Sequence, residues 1–407
     1  MRRTCIPAIA VLVLSLTLVA CGTSSAEPSS GTGGHTYTVG VLTDVTGPGA
    51  SVNGSSTLGV QAGIKLAARS GYTIKEIVAD TGTNPGQVLT AAQNLVEQDK
   101  VLAIIAVSAV TFTAAPWLTA HGVPVLGWSE DGPEWLTSRN MFSPGGPSDP
   151  AKGATTLNKF MKLVGVTNLG VAGYNYVLSA EGAESFADAA KDARIKVGYL
   201  NTTVPLGSTN VQPLALAMKS AGVNGFIGLL EPNASLLTVQ ALRQEAVHLR
   251  AAVLFTGYGG NLKQAGLTST GAGNGVYFAL QFEPVELHTA ATEQFQKDMR
   301  SVGVTSDPTF AEYMGYLSVD LLVHGLEKAG ANPSKADLIT ALNGIKNYDA
   351  AGLLGRESLN VGARTPVPAG VNNCLWFARL NGTTYQLVPG AEPVCGSLIP
   401  SIDNSGS

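Results

Sequence analysis

Two successive series of alternating strand-like and helix-like segments constrain this chain more than any other feature. In the first, short apolar and often β-branched stretches at 37–42, 74–79, 101–107 and 124–128 alternate with amphipathic segments. Strands that are apolar on both faces belong in a parallel sheet covered by helices. The connector starting at Pro85 is the clearest helix. Asn84 can cap it, Pro85 suits its first turn, and Val88, Leu89, Ala92, Leu95 and Val96 share one face. The second series places strands at 168–174, 196–201, 223–230 and 251–257, separated by helices near 179–193, 209–221 and 234–248. Each series is long enough for a doubly wound sheet, so the pattern predicts two α/β lobes in tandem. The join falls in the turn-rich run SPGGPSD at 143–149.

The remainder supplies a strand at 275–280, helices near 289–302, 308–329 and 335–345, and a hairpin-like unit at 374–388 around Asn381-Gly382. Neither lobe closes within the first 270 residues or so. The expected organisation is therefore 37–150 and 281–345 in one lobe, with 151–280 and 346–400 in the other, and a short tail at 401–407. The chain would then cross between lobes several times.

The N-terminus reads differently. Arg2 and Arg3 precede an apolar stretch from Ile9 to Val19, too short to cross a bilayer as a stable helix but of signal-peptide length. It ends in Leu18-Val19-Ala20-Cys21, which resembles a bacterial lipobox. That resemblance implies removal of residues 1–20 and lipidation of Cys21. Residues 21–36 are rich in Gly, Ser and Thr and suit a flexible tether. A body held outside the cell membrane by a lipid on Cys21 is the expected location.

Charged residues make up only 13% of the chain, with 48 glycines, which suits compact α/β packing with many tight turns. The formal charge of −4 and the lack of any Lys/Arg run argue against nucleic acid as a partner. Past Cys21, Cys374 and Cys395 are a lone pair in an exported chain, and a disulfide is their natural reading. It would be worth roughly 3 kcal/mol on the chain-entropy estimate. Two thiols without nearby histidines are too few ligands for structural zinc, so no metal is expected.

The order of several short runs carries a family resemblance. YTVGVL from Tyr37, TGP from Thr46 and GVQAGIKLA from Gly59 are followed by DTGTNPGQV from Asp80, AAQNLVEQDKV from Ala91 and GVPVL from Gly122. Tyr174-Asn-Tyr, Glu181-Gly182 and GFIGLLE from Gly225 continue the order. Each run alone is weak, but the set resembles Leu/Ile/Val-type solute-binding proteins of ABC importers, over most of 37–345. The resemblance implies the type I periplasmic binding fold, two lobes closing on a small molecule, and delivery to permease and ATPase subunits by a monomer without a cofactor.

In open α/β sheets, ligands bind beyond the carboxyl ends of strands, near helix N-termini. In the first lobe those ends offer Ser108, Ala109, Trp128 and Ser129. The family uses these two loops for a ligand carboxylate, although simple helix capping would need the same serines. Trp128 is either a stacking surface or a wall. The second lobe offers Tyr174, Tyr176, Ser179, Glu231 and Tyr258. Amino-acid-binding relatives commonly place an acid after the strand at 251–257, where this chain has Tyr258-Gly-Gly. The aromatic expected after the TGP loop is missing too, with Val52 and Asn53 in that region. Glu231 can replace the missing acid from the neighbouring strand end, or stand solvated at a helix N-terminus. An amino acid, amide, urea-like compound, small carboxylate or aromatic acid all remain open.

An enzyme is disfavoured. The run from Gly127 lacks the second glycine of a nucleophile elbow, and the turn after the first strand reads TDVTGP rather than G-x-G-x-x-G. The five histidines show no metal-ligand spacing. A ligand-sensing receptor component with the same fold is the main alternative to import.

Overall fold

The first series folds around its most apolar strands. The computed structural model describes residues 36–405 except 130, 261, 263–270 and 272; the leader, Cys21 and the tether lie outside them. Strands β1 (Thr36–Thr43), β2 (Thr73–Asp80), β3 (Ala103–Val107), β4 (Val125–Gly127) and β5 (Met141–Phe142) form one parallel sheet in the order β2-β1-β3-β4-β5. All five residues of β3 are buried, as a central strand with helices on both faces requires. The helix Pro85–Glu97 begins at the expected cap, with Asn84 Oδ1 accepting from the N–H groups of Gly86 and Gln87. The two-residue edge strand β5 is too short to leave a periodic signal.

The second series forms a larger sheet from β7 (Asn168–Tyr174), β8 (Lys196–Val204), β9 (Gly225–Leu229), β10 (Ala251–Leu254), β11 (Tyr277–Leu280), β12 (Cys374–Asn381) and β13 (Thr384–Leu387), in the order β13-β12-β11-β10-β9-β7-β8. Strands β7 to β11 are parallel, but β12 runs antiparallel to both β11 and β13. This sheet is therefore mixed rather than wholly parallel. A strand tied to its neighbour by a two-residue loop has to be antiparallel to it. Asn381 pairs with Thr384, so the central turn residues are Gly382 and Thr383 rather than Asn381-Gly382. Gly382 has φ +64°, which a side chain would strain. Cys374 and Cys395 are disulfide-bonded, across the pairing of β12 with β14 (Val394–Cys395).

Residues 401–403, expected in a tail, instead complete β15 (Leu398–Asp403), which pairs with β6 (Lys152–Ala154). Lys152 and Asp403 form an ion pair there.

Between β11 and β12 the chain returns to the first sheet. The helix Phe310–Ala329 packs along the helix Ser56–Arg69 and touches β3 and β4. The two helices meet backbone to backbone through glycine. A Cβ on Gly59 would lie 2.1 Å from Glu312 O, and one on Gly315 would lie 2.3 Å from Ser56 O. A capping box between Thr309 and Glu312 starts the long helix at this crossing. Arg69 adds a bidentate bond to Asp298, 2.6 Å at each nitrogen, which joins the helix Ala290–Ser301 to the same layer.

Candidate functional site

A cavity of about 220 Å³ lies where the carboxyl ends of strands from both sheets come together. Ala109 and Trp128, after β3 and β4, line it from the first sheet. Tyr174 at the end of β7, Tyr176 just beyond it, Glu231 after β9, Thr256 after β10 and Gln281 after β11 line it from the second. Its walls are largely apolar, with six aromatic side chains among them. Trp128 meets Phe310 edge to face at 5.1 Å, and Phe186 stacks on Phe255 at 5.1 Å. This apolar enclosure with a few convergent polar groups suits one small organic molecule.

Six of the nine residues expected from sequence line the cavity: Ala109, Trp128, Tyr174, Tyr176, Ser179 and Glu231. Three do not. Ser108 is buried and its hydroxyl donates to Asp44 Oδ1 at 2.5 Å. Ser129 is buried as well, donating to Gly146 O at 2.9 Å and accepting from Ser148 N at 3.0 Å. Tyr258 turns away, its hydroxyl on Glu286 at 2.6 Å and its ring beside Tyr385 at 4.7 Å. Gly259, next to it, donates its N–H to the Tyr385 hydroxyl at 3.0 Å and lies against the backbone of Asp307 and Pro308.

Over residues 36–384 the sequence matches the family model for periplasmic binding protein. The chain belongs to the periplasmic binding protein family. Its sheets and helices superpose on solved members of the type I fold. A solute binding protein from Rhodopseudomonas palustris in complex with p-hydroxybenzoic acid is similar, at 18% identity and TM-score 0.71, covering 91% of this chain and 99% of that one. A branched-chain amino acid transporter substrate binding protein from Streptococcus pneumoniae, in complex with isoleucine, gives 18% identity and TM-score 0.71 over 90% and 99%. An ABC transporter substrate binding protein from Aeropyrum pernix gives 17% identity and TM-score 0.73 over 91% and 98%. No curated protein matches the chain in sequence. The family is one of binding proteins, not enzymes.

Within this periplasmic binding protein, availability separates the polar groups around the cavity. Ser179 Oγ accepts from Tyr174 N at 2.7 Å and donates to Leu229 O at 2.8 Å, so it braces the wall. The Tyr174 hydroxyl accepts from Glu231 N at 3.1 Å, and burial pushes it up to about 12. Glu231 stands at the N-cap of the helix Pro232–Gln244, yet its side chain makes no capping bond. Its half-buried carboxylate has no hydrogen-bond partner among the described residues, and burial raises its pKa above the usual range. A carboxylate desolvated without a partner is one that gains from an incoming donor.

Sequence reasoning missed several lining residues. Phe310 comes from the crossing helix and supplies an aromatic near the place where Val52 and Asn53 were read as a gap. Nothing local marks it. Asn53 and Gly49 follow β1, and the strand-end rule applied to β1 would have found them and Asp44 behind them. Glu357, Cys374 and Cys395 bring possible metal-ligating atoms within 4.8 Å, but both sulfurs are consumed in the disulfide.

Proposed function

We propose that this chain is an extracytoplasmic solute-binding protein that captures a small organic solute in the cavity and delivers it to an ABC importer. The single observation that carries the reading is the largely apolar cavity between strand ends of both sheets, in a member of the periplasmic binding protein family. Several structural neighbours are binding proteins of ABC transporters, which supports the same role. Residues 37–150 and 281–345 form one lobe, and 151–280 and 346–400 the other, with the solute bridging them and the lobes closing by a hinge. Residues 1–20 are removed, Cys21 carries a lipid, and 21–36 tether a monomeric body to the cell membrane. Trp128, Tyr174, Tyr176 and Phe310 hold the apolar part of the solute, and Glu231 takes a hydrogen-bond donor from it.

A thermal-shift screen of the body against amino acids, amides, ureas and aromatic acids tests the reading, followed by small-angle scattering with the best ligand. A rise in melting temperature with a modest contraction is expected. A bound ligand that leaves the scattering profile unchanged at saturation would contradict closure. Equal labelling of wild type and Cys21→Ser by a fatty-acid analogue would contradict the anchor.

A further inference from the structure

Asp44 follows β1 directly, where the strand order turns from β2 on one side to β3 on the other. N–H and hydroxyl groups collect at such a switch point, and an anion placed there draws donors from several strands at once. In this chain the anion is the protein's own. Asp44 is fully buried. Its Oδ1 accepts from the hydroxyl of Ser108 at 2.5 Å and from that of Thr81. Its Oδ2 accepts from Asn53 Nδ2 at 2.7 Å and from the Ala109 N–H at 3.0 Å. Asn53, Ala109 and Gly49 all line the cavity, and a Cβ on Gly49 would lie 2.4 Å from Asp44 Oδ2. The carboxylate thus stands directly behind the cavity wall.

We infer that Asp44 fills the anion cradle of the first sheet and so restricts the cavity to solutes without a carboxylate at that end, namely amines or amides with an apolar or aromatic body. The inference rests on the solute-binding reading and narrows its ligand class. A ligand carboxylate arriving here would lose its hydration, find the donors of Ser108, Ala109, Thr81 and Asn53 taken, and meet a like charge behind them. In the second serine loop Ser129 is bonded to Gly146 and Ser148, which leaves one neutral donor there, the buried and unpartnered Nε1–H of Trp128, to set against the buried charge of Asp44. Lys152, the only cationic side chain lining the cavity among the described residues, is paired with Asp403.

A donor-bearing solute meets the opposite situation. Asn53 Oδ1 is buried without a partner, held in place because its amide nitrogen is bonded to Asp44. Glu231 presents its carboxylate from the other sheet. The aromatic side chains in the wall, Trp128, Tyr174, Tyr176 and Phe310 among them, offer faces for an ammonium or a flat amide. Asp44 is therefore a positioning residue as well as a plug: it orients the Asn53 acceptor beside the cavity.

Two measurements test this. Calorimetric titration of the wild type with tyramine against tyrosine, and with 4-hydroxybenzamide against 4-hydroxybenzoate, should show the carboxylate-free member binding about tenfold tighter or more. A carboxylate member that binds as tightly as its partner, or more tightly, overturns the inference. In Asp44→Ala the cradle loses its internal anion, and acetate should then raise the melting temperature of the variant, relative to equal chloride, without moving the wild type. A variant that acetate leaves unmoved also overturns it. Should Asp44→Ala fail to fold, the matched pairs decide alone. Neither measurement involves the transporter, so a failure of the delivery reading is seen separately.

Discussion

The strand ends of the two sheets carry similar polar residues, and what differs is where a charged group is left unspent. At the first sheet, the hydroxyls of Ser108 and Ser129, the Ala109 N–H and the Asp44 carboxylate are bonded to one another or to nearby backbone. At the second, Glu231 faces the cavity with a carboxylate that nothing among the described residues satisfies. A polar residue at the right point of the topology is therefore not yet a ligand contact. What decides is whether its bonding capacity is spent on the fold, because only an unspent group gains net energy from a ligand.

The largest effect that would sharpen this contrast is on stability. Asp44→Ala removes the charged acceptor of four buried or partly buried donors and should cost about 3 kcal/mol or more, read by denaturant unfolding. A loss below about 1 kcal/mol would mean that the cradle is not a tight internal network.

Next in size is Glu231→Gln. With a ligand that places an N–H donor on the carboxylate, affinity should fall by about one to two orders of magnitude, while stability stays nearly constant. The same residue predicts a pH dependence. Burial raises its pKa, and the ligand needs the ionised form, so affinity should decline on acidification at a pH above the usual carboxylate range. Glu231→Gln should flatten that profile.

Two acids bonded within the fold should shape stability rather than binding. Burial pushes Asp131, near the end of β4, up to about 7, against its bonds from Trp135 and Phe112. Glu312, in the capping box of the crossing helix, is likewise pushed up to about 7 by burial. Both hold a proton in the folded state more tightly than in the unfolded state, where carboxyl groups titrate near about 4. The stability they contribute is full below that pH and is lost as pH rises through about 7. Unfolding measured from pH 4 to 8 should show this decline, and Glu312→Gln should reduce it.

The strands and helices that repeat in the α/β pattern were legible because burial on both faces leaves a continuous apolar run, as in β3, and because Asn84 and Pro85 announce a helix start. The disulfide was legible from a pair of cysteines left over in an exported chain. The mixed edge of the second sheet was not, since direction depends on where a distant chain returns. The site was half legible. The strand-end rule found Ala109, Trp128, Tyr174, Tyr176, Ser179 and Glu231, but it could not say that Ser108 and Ser129 are already bonded. That depends on Asp44 and on the backbone near residue 146, which only packing brings into reach. Phe310 arrives from a helix far along the chain from Trp128, its ring partner, and leaves no local trace.

The smallest expected effect contrasts most sharply with the others. Ser129→Ala removes a buried hydroxyl that bonds only to the fold, so it should cost about 1–2 kcal/mol of stability and leave affinity within about twofold. The decisive measurement is therefore calorimetric titration of wild type, Glu231→Gln and Ser129→Ala with whichever of tyramine and 4-hydroxybenzamide binds the wild type more tightly. The structure predicts a loss of about ten- to a hundredfold for Glu231→Gln and almost none for Ser129→Ala. The reverse order, with Ser129→Ala abolishing binding and Glu231→Gln matching the wild type, would contradict it.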